Sequence, residues 1–151
     1  LNKEKQCTMA KVKDITQAKG NQIYSITPDA TVYSALEQLF EKNISALLVM
    51  EGEKPIGIFT ERDYARKVVL KGKSSKETLI KEIMTSELIT VEEDCSIEDA
   101  MRIMTNKHIR HLPVMAENKL AGIISIGDVV KQLLQEQQFI INNMENYIKG
   151  A

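Results

Sequence analysis

Two stretches decide how this chain folds: Gly57-Ile58-Phe59-Thr60-Glu61-Arg62-Asp63 and, 65 residues later, Gly122-Ile123-Ile124-Ser125-Ile126-Gly127-Asp128. Each is a short apolar run that meets a hydroxyl residue and then, three positions on, a carboxylate. The shared pattern is G-h-h-[S/T]-x-x-D, with h apolar. Working outward, the same offset lays Ile23–Leu70 on Leu88–Gln135 without a gap, and 11 of the 48 positions are identical. Most other pairs keep their polarity, so the chain carries an internal duplication. Upstream, Lys13-Asp14-Ile15 answers Lys81-Glu82-Ile83 at an offset of 68, which puts a three-residue insertion near Gly20-Asn21 in the first copy.

Both copies read alike. Tyr24–Ile26 and Ile89–Val91 are short strand-forming segments, and Thr31 and Ser96 stand where helix N-caps belong. Val32, Ala35, Leu36, Leu39 and Phe40 follow at the spacing of one buried helical face, and Ile97, Ala100, Met101 and Met104 repeat it. Two apolar runs separated by a polar turn then predict a hairpin: Ala46–Met50 and Ile56–Phe59, and again Leu112–Met115 and Ala121–Ile126. A second helix is expected from Asp63 and from Asp128. The fold class is therefore α+β (mixed α/β), two β-α-β-β-α repeats joined by the polar stretch Lys71–Thr78. A unit of about 60 residues cannot cover its own sheet, so the repeats are expected to pack as one pseudo-twofold body. The expected division is a disordered end at 1–8, repeats at 9–75 and 76–135, and a C-terminal helical extension at 136–151.

Composition narrows the function. Lys and Arg number 20 against 21 Asp and Glu, in 151 residues that are 43% hydrophobic and 27% charged. A balance of −1 argues against nucleic acid as the partner, which asks for a basic face. No apolar run reaches the roughly 18 residues that span a bilayer, so a membrane partner is not expected. Cys7 and Cys95 have no metal or redox spacing, which points to free thiols in a reducing, cytoplasmic setting.

The hydroxyl–carboxylate turns admit two readings. In one, the hydroxyl caps the first helical turn and the Asp answers a backbone N–H. In the other, the carboxylate offers two acceptor oxygens to the vicinal hydroxyls of a ribose, while the hydroxyl and the unsatisfied N–H groups suit a phosphate. Repetition of the motif at equivalent positions favours the second. Across Glu61–Glu82 the bases exceed the acids by three, with Arg62 and Arg66 directly after the first motif. This is either a solvated helix face or a phosphate-facing patch.

The doubled unit, its two motif ends, Arg110-His111-Leu112-Pro113-Val114 and Lys81-Glu82-Ile83-Met84-Thr85 resemble a tandem cystathionine-β-synthase (CBS) domain pair, or Bateman module, over about Val12 to Leu134. Thr60-Glu61-Arg62-Asp63-Tyr64 and the tail after Gln138 resemble the small stand-alone bacterial members. The resemblance implies a regulatory, non-catalytic module that binds adenosyl ligands (AMP, ADP, ATP, NAD or S-adenosylmethionine) in clefts between the copies. It implies two sites. The first gathers Asp63 and Thr60 with Thr85, Leu88 and Ile89, closed by Arg110, His111 and Pro113. The second gathers Asp128 and Ser125 with Thr16, Ile23, Tyr24, Ser45 and Ala46. Ser45-Ala46 stands where the second copy has Arg110-His111, so the two sites are expected to differ in affinity.

Other chemistry is thinly supported. His108 and His111 lack a carboxylate or thiol at ligand spacing, so no metal site is expected, and neither Cys has a base at recognisable spacing. The Met residues fall on apolar repeat positions and read as core. From Asp128 the chain is expected to stay helical to Tyr147, with Val130, Leu133, Leu134, Ile140, Ile141, Met144 and Ile148 in one stripe. That stripe outlasts the repeat. It either packs back on Met9–Ile15 or makes a homodimer contact. The alternative function is thus a ligand-independent dimerisation scaffold with vestigial clefts, and either reading leaves room for an unidentified effector protein.

Overall fold

The structure, a computed structural model, describes residues 10–20 and 22–150. The end expected to be disordered, residues 1–8, lies outside the described residues, as does Cys7. In chain order the elements are α1 Val12–Lys19, β1 Ser25–Ile26, α2 Val32–Lys42, β2 Ala46–Glu51, β3 Lys54–Thr60, α3 Glu61–Asp63 continued by a π-helical turn Tyr64–Val69, α4 Ile80–Ile83, β4 Val91–Glu92, α5 Ile97–Lys107, β5 His111–Ala116, β6 Lys119–Ser125 and α6 Ile126–Gly150. They form two three-stranded sheets, β1-β2-β3 and β4-β5-β6, each with one parallel and one antiparallel pair.

The compact units are not the sequence repeats. One unit is residues 22–89; the other joins residues 10–20 to residues 90–150. The first repeat's leading helix, α1, therefore belongs with the second repeat's sheet, and α4, which leads the second repeat, belongs with the first repeat's sheet. Long-range hydrogen bonds tie α1 in place: the Val12 N–H donates to the Cys95 carbonyl at 2.8 Å and the Lys13 N–H to Glu93 at 2.9 Å. For α4, the Ile80 N–H donates to the Ala30 carbonyl at 2.8 Å.

In the unit of residues 22–89, the Thr31 hydroxyl caps α2 by accepting from the Ser34 N–H at 3.1 Å. Asn43, with φ +53°, ends the helix in a left-handed turn. The core joins one face of β2 (Leu47, Val49) and Phe59 of β3 to Val32, Ala35 and Leu39 of α2, Val68, and Ile80 and Ile83 of α4. Leu36 is half-buried and packs against that core, while Phe40, expected on the same buried face, is 87% exposed. Phe40 sits in the last turn of α2, where the face has already rotated past the sheet.

The other unit repeats this plan. Ser96 caps α5 through the Asp99 N–H at 3.1 Å, and His108, φ +55°, ends it. Val12, Ile15, Ile97, Ala100, Met104, Leu112, Val114, Ile124 and Val129 are buried. The two hairpins share register and both shift after their fourth paired residue, at Val49/Met50 and Val114/Met115. The parallel pairs keep the same register as well, with Ile26 on Val49 answered by Val91 on Val114, but the paired stretch differs by one residue. Ser25 and Ile26 pair with Leu48 and Val49, whereas Val91 and Glu92 pair with Val114 and Met115. In that shared register Thr90, the counterpart of Ser25, stands opposite Pro113, which has no N–H to donate, so the paired stretch starts one residue later, at Val91. The expected strand at Ile89–Val91 is displaced for that reason. α6 is one uninterrupted helix from Ile126, so the stretch expected as a separate extension continues the repeat's last helix. Every described residue beyond Glu136 is exposed.

Candidate functional site

The capping reading of the motif is realised at both turns. Leaving β3, the Thr60 hydroxyl accepts from the Asp63 N–H at 3.2 Å, and Asp63 Oδ2 accepts from the Thr60 N–H at 3.0 Å and from its hydroxyl at 3.2 Å. Leaving β6, the Ser125 hydroxyl accepts from the Asp128 N–H at 3.1 Å, and Asp128 Oδ2 accepts from the Ser125 N–H at 2.8 Å. These reciprocal bonds satisfy donors the helix cannot satisfy itself. They use one oxygen of each carboxylate and leave the other to its surroundings.

Those surroundings differ. Asp63 is buried, and its Oδ1 accepts from the Thr85 hydroxyl at 3.1 Å and faces the Lys67 ammonium at 3.1 Å. Lys67 lies one helical turn on and also donates to the Ile83 carbonyl at 3.1 Å and the Thr85 hydroxyl at 3.4 Å. Thr85 reaches the turn because Met84-Thr85 runs along β3: Ile58 and Thr85 exchange N–H···O bonds of 3.0 and 2.9 Å. Gly57 permits that approach, since a Cβ there would stand 2.7 Å from Met84 Sδ and 3.0 Å from the Thr85 carbonyl. The motif's glycine thus serves close backbone packing, not a left-handed turn.

At Asp128 the cation arrives from α1. Lys19 Nζ lies 2.8 Å from Oδ2 and donates to the Ile123 carbonyl at 3.2 Å. Ile123 is the repeat partner of Ile58, so an ammonium takes the carbonyl that a backbone N–H takes in the other unit. Gly122 meets only a side chain, with Thr16 Cγ2 at 3.0 Å from where its Cβ would be. Asp128 Oδ1 has no hydrogen-bond partner among the described residues. Burial pushes the Asp128 carboxyl up, but Lys19 and the Ser125 donors outweigh it and hold its pKa below the usual value. His111 faces Ser125 across the hairpin. Burial, then the Lys19 charge, lower its pKa; Asp128 opposes them and Arg110 assists.

The predicted residues divide between the units. Thr60, Asp63 and Thr85 converge on one carboxylate, with Leu88 and Ile89 half-buried in the same unit. Ser125, Asp128 and His111 gather at the other turn, and the Arg110 carbonyl accepts from the Ile126 N–H at 2.9 Å beside it, whereas Thr16 lies against Gly122 earlier on β6 with its hydroxyl donating to the Lys13 carbonyl at 3.1 Å. Pro113 is a buried strand residue of that unit. Ile23, Tyr24, Ser45 and Ala46 belong to residues 22–89; Tyr24 packs on that unit's core with Lys42 Nζ 5.5 Å from its ring centre. Ala46 pairs with Thr60, as His111 does with Ser125. Arg62 and Arg66 are exposed on the segment around Asp63. Both cations that touch the carboxylates, Lys67 and Lys19, are missing from the predicted set. The i,i+4 spacing of Asp63 and Lys67 was a usable signal. Nothing in spacing links Lys19 to a residue 109 positions away. Among the described residues no three His, Cys, Asp or Glu side chains gather to hold a metal, and no helix is long and apolar enough to cross a membrane. Cys95 is a free thiol whose pKa burial, Asp99 and Asp94 push up.

Comparison with known proteins finds the CBS domain twice in this chain, at residues 12–70 and 80–135. The chain is 38% identical over 149 residues to the mitochondrial CBS domain-containing protein CBSX3 of Arabidopsis thaliana, covering 93% of this chain and 72% of that one. It superposes with TM-score 0.82 and 46% identity on a putative signal-transduction protein with CBS domains from Burkholderia ambifaria, over 85% of this chain and 96% of that one. A second similar structure is the CBS domain pair of protein MJ0100 in complex with 5′-methylthioadenosine and S-adenosyl-L-methionine. There the TM-score is 0.71 and the identity 26%, over 85% and 98% of the two chains.

Proposed function

The chain belongs to the CBS domain family, and from that premise we propose that its two capped turns hold the ribose of adenosine-containing ligands: AMP, ADP, ATP or NAD. The observation that carries this reading is the pair of Asp side chains at equivalent strand-to-helix turns, each keeping one oxygen for its cap and turning part of the carboxylate to movable side chains. Ribose hydroxyls replace the hydroxyl or ammonium now on the carboxylate. Thr60 or Ser125 and the N–H groups of the turn then meet the first phosphate. The MJ0100 domain pair, solved with two adenosine-derived ligands, supports this ligand class. The module acts as a regulatory sensor of nucleotide or redox state, without catalysis. Binding changes its preferred arrangement, and an effector protein reads the change.

Isothermal titration with AMP, ADP, ATP, NAD and S-adenosylmethionine tests the reading. At least one binds below about 1 mM, and Asp63→Asn or Asp128→Asn, which keep an acceptor for the cap, weaken it. Absence of binding by all five, with both variants silent, overturns it.

One observation favours a second reading, a homodimerisation scaffold. α6 exposes Phe139, Ile140, Met144, Tyr147 and Ile148 beside a groove of about 860 Å³ that it forms with α1 and α5. Such apolar exposure on a helix is better covered than solvated. A chain ending at Leu134 should then be monomeric by light scattering where the full chain is a dimer. The same oligomeric state for both rejects the scaffold.

A further inference from the structure

Lys19 stands on the two atoms that make the Asp128 turn what it is. Its ammonium shares Oδ2 with the Ser125 N–H and also takes the Ile123 carbonyl. That oxygen is thereby filled, while Oδ1 is open among the described residues. Two vicinal hydroxyls need both oxygens, so a ribose seats fully only when the ammonium withdraws. Lys19 is placed to withdraw: its side chain is 43% exposed, and a four-carbon stem carries the charge. Lys67 holds a different position, with three partners inside its own unit: Asp63, Thr85 and the Ile83 carbonyl. Its Asp63 counterpart is met by a neutral donor too, the Thr85 hydroxyl, which a ribose hydroxyl replaces without moving any charge.

Resting on the reading of this turn as a ribose site, we propose that Lys19 is a charge-selective latch. It bars uncharged nucleosides from the Asp128 turn and admits nucleotides whose phosphates receive the displaced ammonium. An incoming nucleoside breaks the Lys19–Asp128 pair and offers nothing in return. A nucleoside triphosphate gives the ammonium a second anion within reach of the same stem, next to Arg110. The Asp63 turn lacks this selection, since Ser45 and Ala46 stand where Arg110 and His111 do and its cation keeps other partners. The two turns therefore sort one pool of adenosine compounds differently, the Asp128 turn by phosphate content.

The test is titration of the full-length Asp63→Asn chain, which leaves the Asp128 turn to be measured, with adenosine and with ATP. The expected preference is at least about tenfold for ATP, the worth of one hydrogen bond between charged groups. Adding Lys19→Met strengthens adenosine, weakens ATP and brings their ratio towards one. Lys19→Arg retains the preference, and its retention with folded-state circular dichroism excludes a general loss of structure. An Asp63→Asn chain that binds neither compound overturns the ribose reading of this turn, and the latch with it. A chain that binds both, with a ratio Lys19→Met leaves unchanged, overturns the latch alone.

Discussion

Asp63 and Asp128 end the same seven-residue pattern and cap their helices with the same reciprocal bonds, yet the cation on each carboxylate has a different origin. Lys67 comes from the helical segment that follows Asp63, inside the duplicated sequence. Lys19 comes from α1, the helix that leads the other repeat in sequence and joins this sheet in space. Duplication copied the turn; the exchange of leading helices decided what surrounds it. The consequence is a buried, fully engaged carboxylate in one unit and, in the other, a partly exposed one whose second oxygen has no hydrogen-bond partner among the described residues.

The largest effects that sharpen this comparison lie beneath the turns. Phe59 and Ile124 occupy equivalent positions, each one residue before the capping hydroxyl, and both are fully buried. Phe59→Ala should cost about 4 kcal/mol and Ile124→Ala about 3 kcal/mol, read from urea unfolding midpoints. Equal or reversed costs would break the idea that the first unit's turn rests on the bulkier support. Next come the motif glycines. Gly57→Ala presses on the Thr85 backbone and should cost about 2 kcal/mol, whereas Gly122→Ala meets only the Thr16 methyl and should cost about 1 kcal/mol. If Gly57→Ala is the milder change, the Ile58–Thr85 bridge is not what positions Thr85.

Smaller again are the two lysines. At neutral pH Lys67→Met and Lys19→Met should each lower stability by about 1 kcal/mol or less, the range of partly exposed ion pairs. The difference is in acid. The Asp128 pKa is held down in the folded chain, so its contribution is present above the unfolded carboxylate pKa and is lost as pH falls through the folded one. The cost of Lys19→Met should accordingly shrink as the pH is lowered below about 4. A cost that does not change with pH would mean that Lys19 supports α1 through packing of its stem and not through Asp128.

How much of this was legible in the sequence follows from the range of each interaction. The hairpins, the caps at Thr31 and Ser96 and the two Asp turns are written within a few residues, and periodicity exposes them. The course of α6 past the repeat was equally plain, because an amphipathic stripe needs no partner to be seen. The late start of the second parallel pair, at Val91, turns on the missing N–H of Pro113, a residue whose identity was in view while its opposite number was not. The exchange of α1 and α4 depends on contacts between residues far apart in the chain, and Lys19 on Asp128 on one spanning 109 residues. No local spacing encodes which sheet a leading helix joins.

The smallest effect concerns a position where the units differ outright. His111 faces Ser125 as Ala46 faces Thr60, so an imidazole stands at one turn where a methyl stands at the other. Burial, aided by Lys19 and Arg110, lowers the His111 pKa in the folded chain despite the pull of Asp128. Below the ordinary histidine value of about 6.5 the unfolded chain takes up a proton that the folded chain resists. Stability therefore declines as pH falls from that value towards the folded pKa, with a slope of at most about 1.4 kcal/mol per pH unit. His111→Gln should flatten that decline, and Lys19→Met should reduce it, because it removes the second-largest of the forces holding the imidazole neutral. Nucleotide at the Asp128 turn should act in the same direction as Lys19→Met, since phosphate brings negative charge to His111 and draws the ammonium away. Unfolding midpoints between pH 7 and 5, with and without ATP, check all three. A decline that His111→Gln leaves intact would assign it to another group and remove the pH distinction between the two turns.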